Sequence, residues 1–149
     1  MAASTGEVLN REVVRDHFRR PRNRGSLGAP ATSGHAHNPF CGDTVRVWAR
    51  VEDGLIAEAS FDGRGCSISQ AAASMLTALV AGSEVGAVAG LRRAFTEGLA
   101  PDGPELPKRL GDLRALAGVR RFPSRVRCAV LPFDALEEAL APARDTEEE

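Results

Sequence analysis

Between Thr44 and Phe61 the chain alternates with a period of two: Val45, Val47, Ala49 and Val51 are apolar, and Arg46, Trp48 and Arg50 stand between them. Alternation of this kind sends successive side chains to opposite faces of a strand. The Asp53-Gly54 pair that follows is a tight-turn signal, so the segment reads as a hairpin. Its second arm places Leu55, Ala57, Ala59 and Phe61 on one face. One side of the sheet is therefore apolar and has to be covered by helices.

Helical periodicity lies on both sides of the hairpin. Glu7 to Arg19 reads as a helix that turns Leu9, Val13 and Phe18 toward the core and ends near Pro21. The basic elbow from Arg19 to Ser26 reads either as a solvated loop or as a docking surface for an acidic partner. Leu27 to Phe40, interrupted by Gly28, Pro30, Gly34 and Pro39, reads as an irregular or edge strand. After the hairpin, Ile68, Ala72, Met75, Leu76 and Leu79 recur at helical spacing up to Gly82, and Val85, Val88, Leu91 and Phe95 repeat it up to Gly98. Leu106, Leu110, Leu113 and Leu116 predict a shorter amphipathic helix. A final helix starts near Pro123, with Val126, Val130, Phe133, Leu136 and Leu140 as its stripe. Pro132 falls inside that stripe and predicts a kink or break, because an interior proline removes a hydrogen bond and clashes with the preceding turn. The acidic end from Arg144 to Glu149 is expected to fray.

The sum is an α+β fold, a small antiparallel sheet of about three strands covered by helices on one face. The 149 residues make a single domain over 1–149, ordered from about 7 to 141 and followed by an acidic C-terminal tail. A chain of this size buries roughly 68–70% of its unfolded surface and needs no disulfide to fold. A net charge of -1 supplies no general attraction to nucleic acid or to an anionic membrane. No stretch approaches the ~18 apolar residues of a spanning helix, so a soluble, cytoplasmic protein is expected.

Three cysteines, an odd count without a Cys-x-x-Cys pair, argue against a disulfide framework. Cys41, Cys66 and Cys128, with Asp43, each stand beside a strand or helix signal, and thiolates with a carboxylate form a donor set for zinc or iron. Cys66 follows Gly63-Arg64-Gly65 at a predicted helix start, where backbone N–H groups favour a thiolate and glycine permits close approach. Cys41 and Asp43, two apart, face one side of an extended chain. Cys128 joins them only if the helices pack back over the end of the hairpin. On spacing alone, a shared metal site and three separate free cysteines stay equally open. His35 and His37, in a Gly-Ser-Pro-rich loop, read as solvated, and His17 as a half-buried packing residue, so all three are left outside the site.

Four segments in order, DHFRRPRNRG, NPFCGDTV, FDGRGCSISQAAASML and FPSRVRCAVL, resemble the signature segments of the IscU/SufU/NifU N-terminal family. The resemblance runs from about Val8 to Leu140. Two features are similar to the SufU branch: extra residues around Gly98 to Leu113, and Arg127 where IscU-type scaffolds place a histidine before the third cysteine. A guanidinium cannot ligate a metal. The resemblance implies a sulfur acceptor of iron-sulfur cluster assembly in the SUF system. Zn2+ would be held by Cys41, Asp43, Cys66 and Cys128, and a SufS-type, pyridoxal-phosphate-dependent cysteine desulfurase would be the partner. That partner would offer a histidine to the zinc and release Cys41 to take persulfide sulfur. Recipients would be a downstream SUF scaffold or apo iron-sulfur proteins. Arg125 matches a basic position in SufU-type chains and could orient Asp43 or the arriving persulfide; it reads equally well as a solvated arginine.

This points to a sulfurtransferase-like acceptor and desulfurase activator rather than a stand-alone enzyme. Three alternatives remain: a scaffold holding a transient iron-sulfur cluster on Cys41, Cys66 and Cys128 with Asp43, a thiol enzyme with Cys66 as nucleophile and a histidine as base, and a fold in which zinc is purely structural.

Overall fold

The computed structural model describes residues 2–148, and side chains over 11–144. Helix α1 spans Ala2–Arg19, strands β1 Thr32–Asn38, β2 Asp43–Glu52 and β3 Leu55–Arg64 follow, and helix α2 covers Ser67–Val80. A 3-10 turn at Val85–Ala87 leads into α3, Val88–Gly98, and a 3-10 segment over Lys108–Arg121 precedes α4, Pro123–Glu148. The three strands form one antiparallel sheet in the order β1-β2-β3. Helix α4 lies across β1 and β2, α2 lies against β3, and α1 packs on α2 and on the 3-10 segment. The α+β expectation holds.

The first arm of the hairpin packs as its alternation requires, with Val45, Val47 and Ala49 buried. The second arm departs from the expected face. The register shifts between Arg50 and Val51, where Arg50 pairs with Glu58 but Val51 with Ile56, leaving Ala57 as the extra residue. A one-residue bulge flips the side chains beyond it. Ile56 is therefore buried while Leu55 is exposed, and Ala59 and Phe61 keep the core face.

Helix α1 begins ahead of the expected Glu7, and the side chain of Leu9 lies outside the described residues. Val13 packs on the core as expected, but Phe18 is exposed and His17 takes the buried place. The imidazole Nδ1 lies 2.7 Å from Ser74 Oγ and Nε2 lies 2.8 Å from Asp112 Oδ2. Both ring nitrogens are satisfied, which makes burial of the polar ring tolerable and turns the next residue outward.

The leucine row Leu106, Leu110, Leu113 and Leu116 is buried, but on 3-10 turns rather than an α-helix. From Leu110 onward its spacing is three, continued by buried Val119, and three residues per turn is the 3-10 repeat. Gly111 interrupts the segment at φ 55°. Helix α4 in turn runs through Pro132 and Pro142 without the expected break. The missing Pro132 N–H leaves the Cys128 carbonyl without its usual helical partner. Phe133, Leu136 and Leu140 keep the stripe in the core on the far side of the proline.

Close approach of α4 to β1 depends on Gly34, where a Cβ would stand 2.1 Å from the Ala135 carbonyl oxygen. The lower half of α4 is held by Thr32, whose Oγ1 donates to the Ala139 carbonyl at 2.5 Å. These contacts bring Cys128, on the first turns of the helix, over the mouth of the β1-β2 turn.

Candidate metal centre

Three chain segments converge at that mouth. The β1-β2 turn carries Cys41 and leads into Asp43 at the start of β2, the β3-α2 junction carries Cys66, and α4 carries Cys128. The turn is built by Asn38. Its side-chain Oδ1 accepts the Phe40 backbone N–H at 3.1 Å, and its own carbonyl accepts the Gly42 N–H at 2.9 Å. Gly42 takes φ 72°, which glycine adopts without strain. On the other side, Cys66 is the N-cap residue of α2, and its backbone N–H donates to Asp43 Oδ1 at 2.7 Å.

The donor atoms lie close together. Cys41 Sγ is 3.5 Å from Cys128 Sγ, and Cys66 Sγ is 3.2 Å from Asp43 Oδ2. Cys41, Asp43 and Cys128 each offer a donor atom within 4.8 Å of the other two. Cys66 adjoins this group through Asp43. The four residues proposed from the sequence are therefore neighbours, with β1-β2, β3-α2 and α4 each contributing.

Burial divides the set. Asp43 and Cys128 are buried, Cys66 is half-buried and Cys41 is exposed. Burial pushes the Cys128 thiol well above its ordinary range, helped by hydrogen bonding to Asp43 and Cys41. Burial also opposes ionisation of Asp43, but the Cys66 backbone N–H and the three thiols outweigh it and hold the carboxyl below its usual value. The ionised Asp43 carboxylate carries one negative charge with no basic side chain among its hydrogen-bond partners.

That chemistry fits a divalent cation. Tetrahedral zinc with Zn–S near 2.3 Å sets sulfurs about 3.8 Å apart, close to the Cys41–Cys128 spacing already present. Hard carboxylate oxygen with soft sulfur suits Zn2+ and iron equally. The residues that would hold the ion are Cys41, Asp43, Cys66 and Cys128.

Arg125 stands exposed on the first turn of α4 and is not among the groups that hold the Asp43 carboxyl below its usual value. Arg127 turns its guanidinium over the ring of Phe40, 5.5 Å from the centroid, and stays outside the donor cluster. His35 and His37 point outward from β1, and His17 is bound to Ser74 and Asp112 away from the centre. None of the three histidines is placed as a base for Cys66. Sequence reasoning missed Asn38 and Ser69; Ser69 Oγ donates to the Cys66 carbonyl at 3.2 Å. The tendency of asparagine to bond its own backbone two residues on was the signal for Asn38.

The NifU-like N-terminal domain model matches residues 9–129. The chain belongs to the NifU-like N-terminal family. Within that family it is 36% identical over 135 residues to the zinc-dependent sulfurtransferase SufU of Bacillus subtilis, covering 91% of each chain. It is also 36% identical over 141 residues to the iron-sulfur cluster assembly scaffold protein IscU of Streptococcus pyogenes, covering 94% of this chain and 87% of that one. The crystal structure of the N-terminal part of a NifU-like protein from Brucella abortus superposes with a TM-score of 0.81 at 25% identity, over 93% of this chain and 94% of that chain. The family expected from the four sequence segments is the family found, and its fold is the α+β fold described above. No helix is long and apolar enough to cross a membrane among the described residues.

Proposed function

We propose that this NifU-like domain is an iron-sulfur cluster assembly protein of the SufU kind, a zinc-binding acceptor that takes sulfur from a SufS-type cysteine desulfurase through Cys41. The observation that carries the reading is the asymmetry of the donor set: Cys41 alone is exposed, above the buried pair Asp43 and Cys128. A group needed only to hold a metal would gain by burial, whereas an acceptor must be reached. The zinc-dependent relative from Bacillus subtilis supports the choice of metal and of activity. Arg127, which stands immediately before Cys128 and stacks on Phe40, adds no further ligand, in keeping with a four-donor zinc site.

Bound Zn2+ would supply the positive charge that keeps the thiols deprotonated and protected. The chain's own part in transfer is simple. The Cys41 thiolate attacks the outer sulfur of the desulfurase persulfide, a new S–S bond forms at Cys41 Sγ, the old one breaks, and the desulfurase cysteine leaves as a thiolate. No net oxidation occurs. Asp43, Cys66 and Cys128 stay in place to preserve the site while Cys41 is engaged. The sulfur then passes to a SUF scaffold or to apo iron-sulfur proteins.

A second reading, a scaffold that assembles a transient cluster on the same residues, draws on the IscU relative of equal identity. One experiment separates them: sulfide release by the cognate desulfurase, with and without this protein, on samples assayed for zinc and iron. Zinc near one per chain with strong stimulation, lost in Cys41→Ala, is the expected result. Iron with visible cluster absorbance and no stimulation would replace this reading with the scaffold.

A further inference from the structure

The reading of Cys41 as acceptor leaves open why it, rather than Cys128 3.5 Å away, should come off the metal. We infer that Asn38 makes this choice, as a positioning residue that ties Cys128 into the site and leaves Cys41 loose. The inference rests on the zinc-binding reading of the centre, and deepens it.

Asn38 is 4% exposed and ends β1 beside the donor cluster. Its orientation is set by the backbone, because the Phe40 N–H requires an acceptor and so faces Oδ1 at 3.1 Å. The amide Nδ2 must then point the other way, and it does, donating to Cys128 Sγ at 3.9 Å. One side chain thus performs two tasks. Its oxygen shapes the turn from Asn38 to Gly42 that presents Cys41, and its N–H group reaches the sulfur of a different element.

An N–H donor to a metal-bound thiolate draws off negative charge and lowers the nucleophilicity of that sulfur. It also fixes the side chain's rotamer, as outer partners of metal ligands do. Cys66 is held differently: its Sγ donates to Ser69 Oγ at 3.9 Å and its backbone N–H donates to Asp43 Oδ1 at 2.7 Å, so its position is fixed although no N–H donor reaches its sulfur among the described residues. Cys41 has neither. Among the described residues the polar neighbours of its side chain are the other candidate donors of the site, Cys128 and Asp43. The three thiols are therefore unequally held before any partner arrives: Cys128 alone receives an N–H donor, Cys66 is fixed through Ser69 and Asp43, and the one with neither is the exposed one.

Two substitutions divide the tasks. Asn38→Ser keeps a short hydroxyl able to accept the Phe40 N–H, as serine does in such turns, but cannot reach Cys128. Asn38→Ala removes both bonds. Zinc-loaded protein is treated with iodoacetamide, the alkylated cysteine is located by peptide mass spectrometry, and zinc release to a chelator is timed on the same samples. The wild type is expected to be alkylated at Cys41. Both variants should release zinc about 10–100-fold faster, the range for loss of an outer partner of a metal ligand, and should show Cys128 modified alongside Cys41. Circular dichroism of each loaded variant checks that the fold persists.

If Asn38→Ser behaves as wild type while Asn38→Ala is impaired, the turn alone matters and the inference is wrong. If both behave as wild type, burial alone selects Cys41 and it is wrong again. Neither assay involves a desulfurase, so a failure here leaves the sulfur-acceptor reading standing, and a protein that binds no zinc overturns both.

Discussion

A side chain on Gly65 would occupy the position of the Asp43 carboxylate: its Cβ would lie 2.0 Å from Oδ1 and 2.6 Å from Cγ. Gly65 also holds φ 141°, a conformation that residues with a side chain rarely adopt. The glycine before Cys66 is thus part of the donor set by omission. It lets β3 turn into α2 tightly enough for the Cys66 N–H to reach Asp43.

Gly65→Ala is accordingly expected to lose zinc by displacing Asp43 and Cys66 together, while the sheet and helices persist. Metal content after purification, beside the far-ultraviolet circular dichroism spectrum, checks it. Retention of one zinc per chain would mean that Asp43 is not needed as a ligand.

Gly34 makes a comparable demand in the core, with no role in chemistry. A Cβ there would stand 2.1 Å from the Ala135 carbonyl and 2.6 Å from the Ala139 backbone nitrogen, so α4 would have to lift from β1. Overpacking of this kind costs about 1–3 kcal/mol or more. For a chain of this size Gly34→Ala should lower Tm by about 2–12 °C, measured by thermal denaturation of the metal-loaded protein. Because α4 carries Cys128, the zinc affinity should fall in parallel.

The buried thiol of Cys128 predicts a pH dependence with a definite sign. Its pKa in the folded, metal-free protein is raised by burial above the ordinary value of about 8.5. The stability associated with the neutral thiol is therefore fully present below pH ~8.5 and is lost as pH rises beyond it, because the unfolded chain then releases a proton that the folded chain keeps. The slope for one thiol is at most about 1.4 kcal/mol per pH unit. Metal-free protein should lose Tm between pH 8.5 and 10.5, and Cys128→Ser should flatten that loss. Zinc binding at pH 7.5 should release at least the Cys128 proton, read by calorimetry in buffers of different ionisation enthalpy.

Phe40 is 83% exposed, immediately before the exposed Cys41, and carries the Arg127 guanidinium on its face. An aromatic ring left in water beside an exposed thiol is a ready anchor for a surface that approaches it. On the sulfur-acceptor reading proposed above, Phe40→Ala should weaken binding to the desulfurase about ten-fold or more, near 1.4 kcal/mol, with zinc content unchanged. A titration of desulfurase activity against this protein would register the change as a shift in half-saturation, and an unmoved curve would place the contact elsewhere.

The sequence was informative wherever neighbours along the chain decide the outcome. The alternation from Val45 to Ala49 specified a half-buried strand, Asp53-Gly54 its turn, and the stripe from Ile68 to Leu79 a core helix, because side-chain period and backbone geometry are local properties. The four candidate donor residues were singled out through the short segments that surround each of them, while their spacing alone left a shared site and separate cysteines equally open. Tertiary structure decided the rest. The bulge at Ala57 exchanged Leu55 for Ile56 in the core, and His17 rather than Phe18 took the inward place because Ser74 and Asp112, distant in sequence, satisfy its nitrogens. Helix α4 stayed continuous through Pro132, where packing of Phe133 and Leu136 outweighs one lost hydrogen bond. Above all, the closing of Cys128 onto Cys41 and the exposure of Cys41 alone depend on how α4 crosses β1 over Gly34. That crossing is a property of surfaces brought together across about a hundred residues of chain, and no spacing within any one segment encodes it.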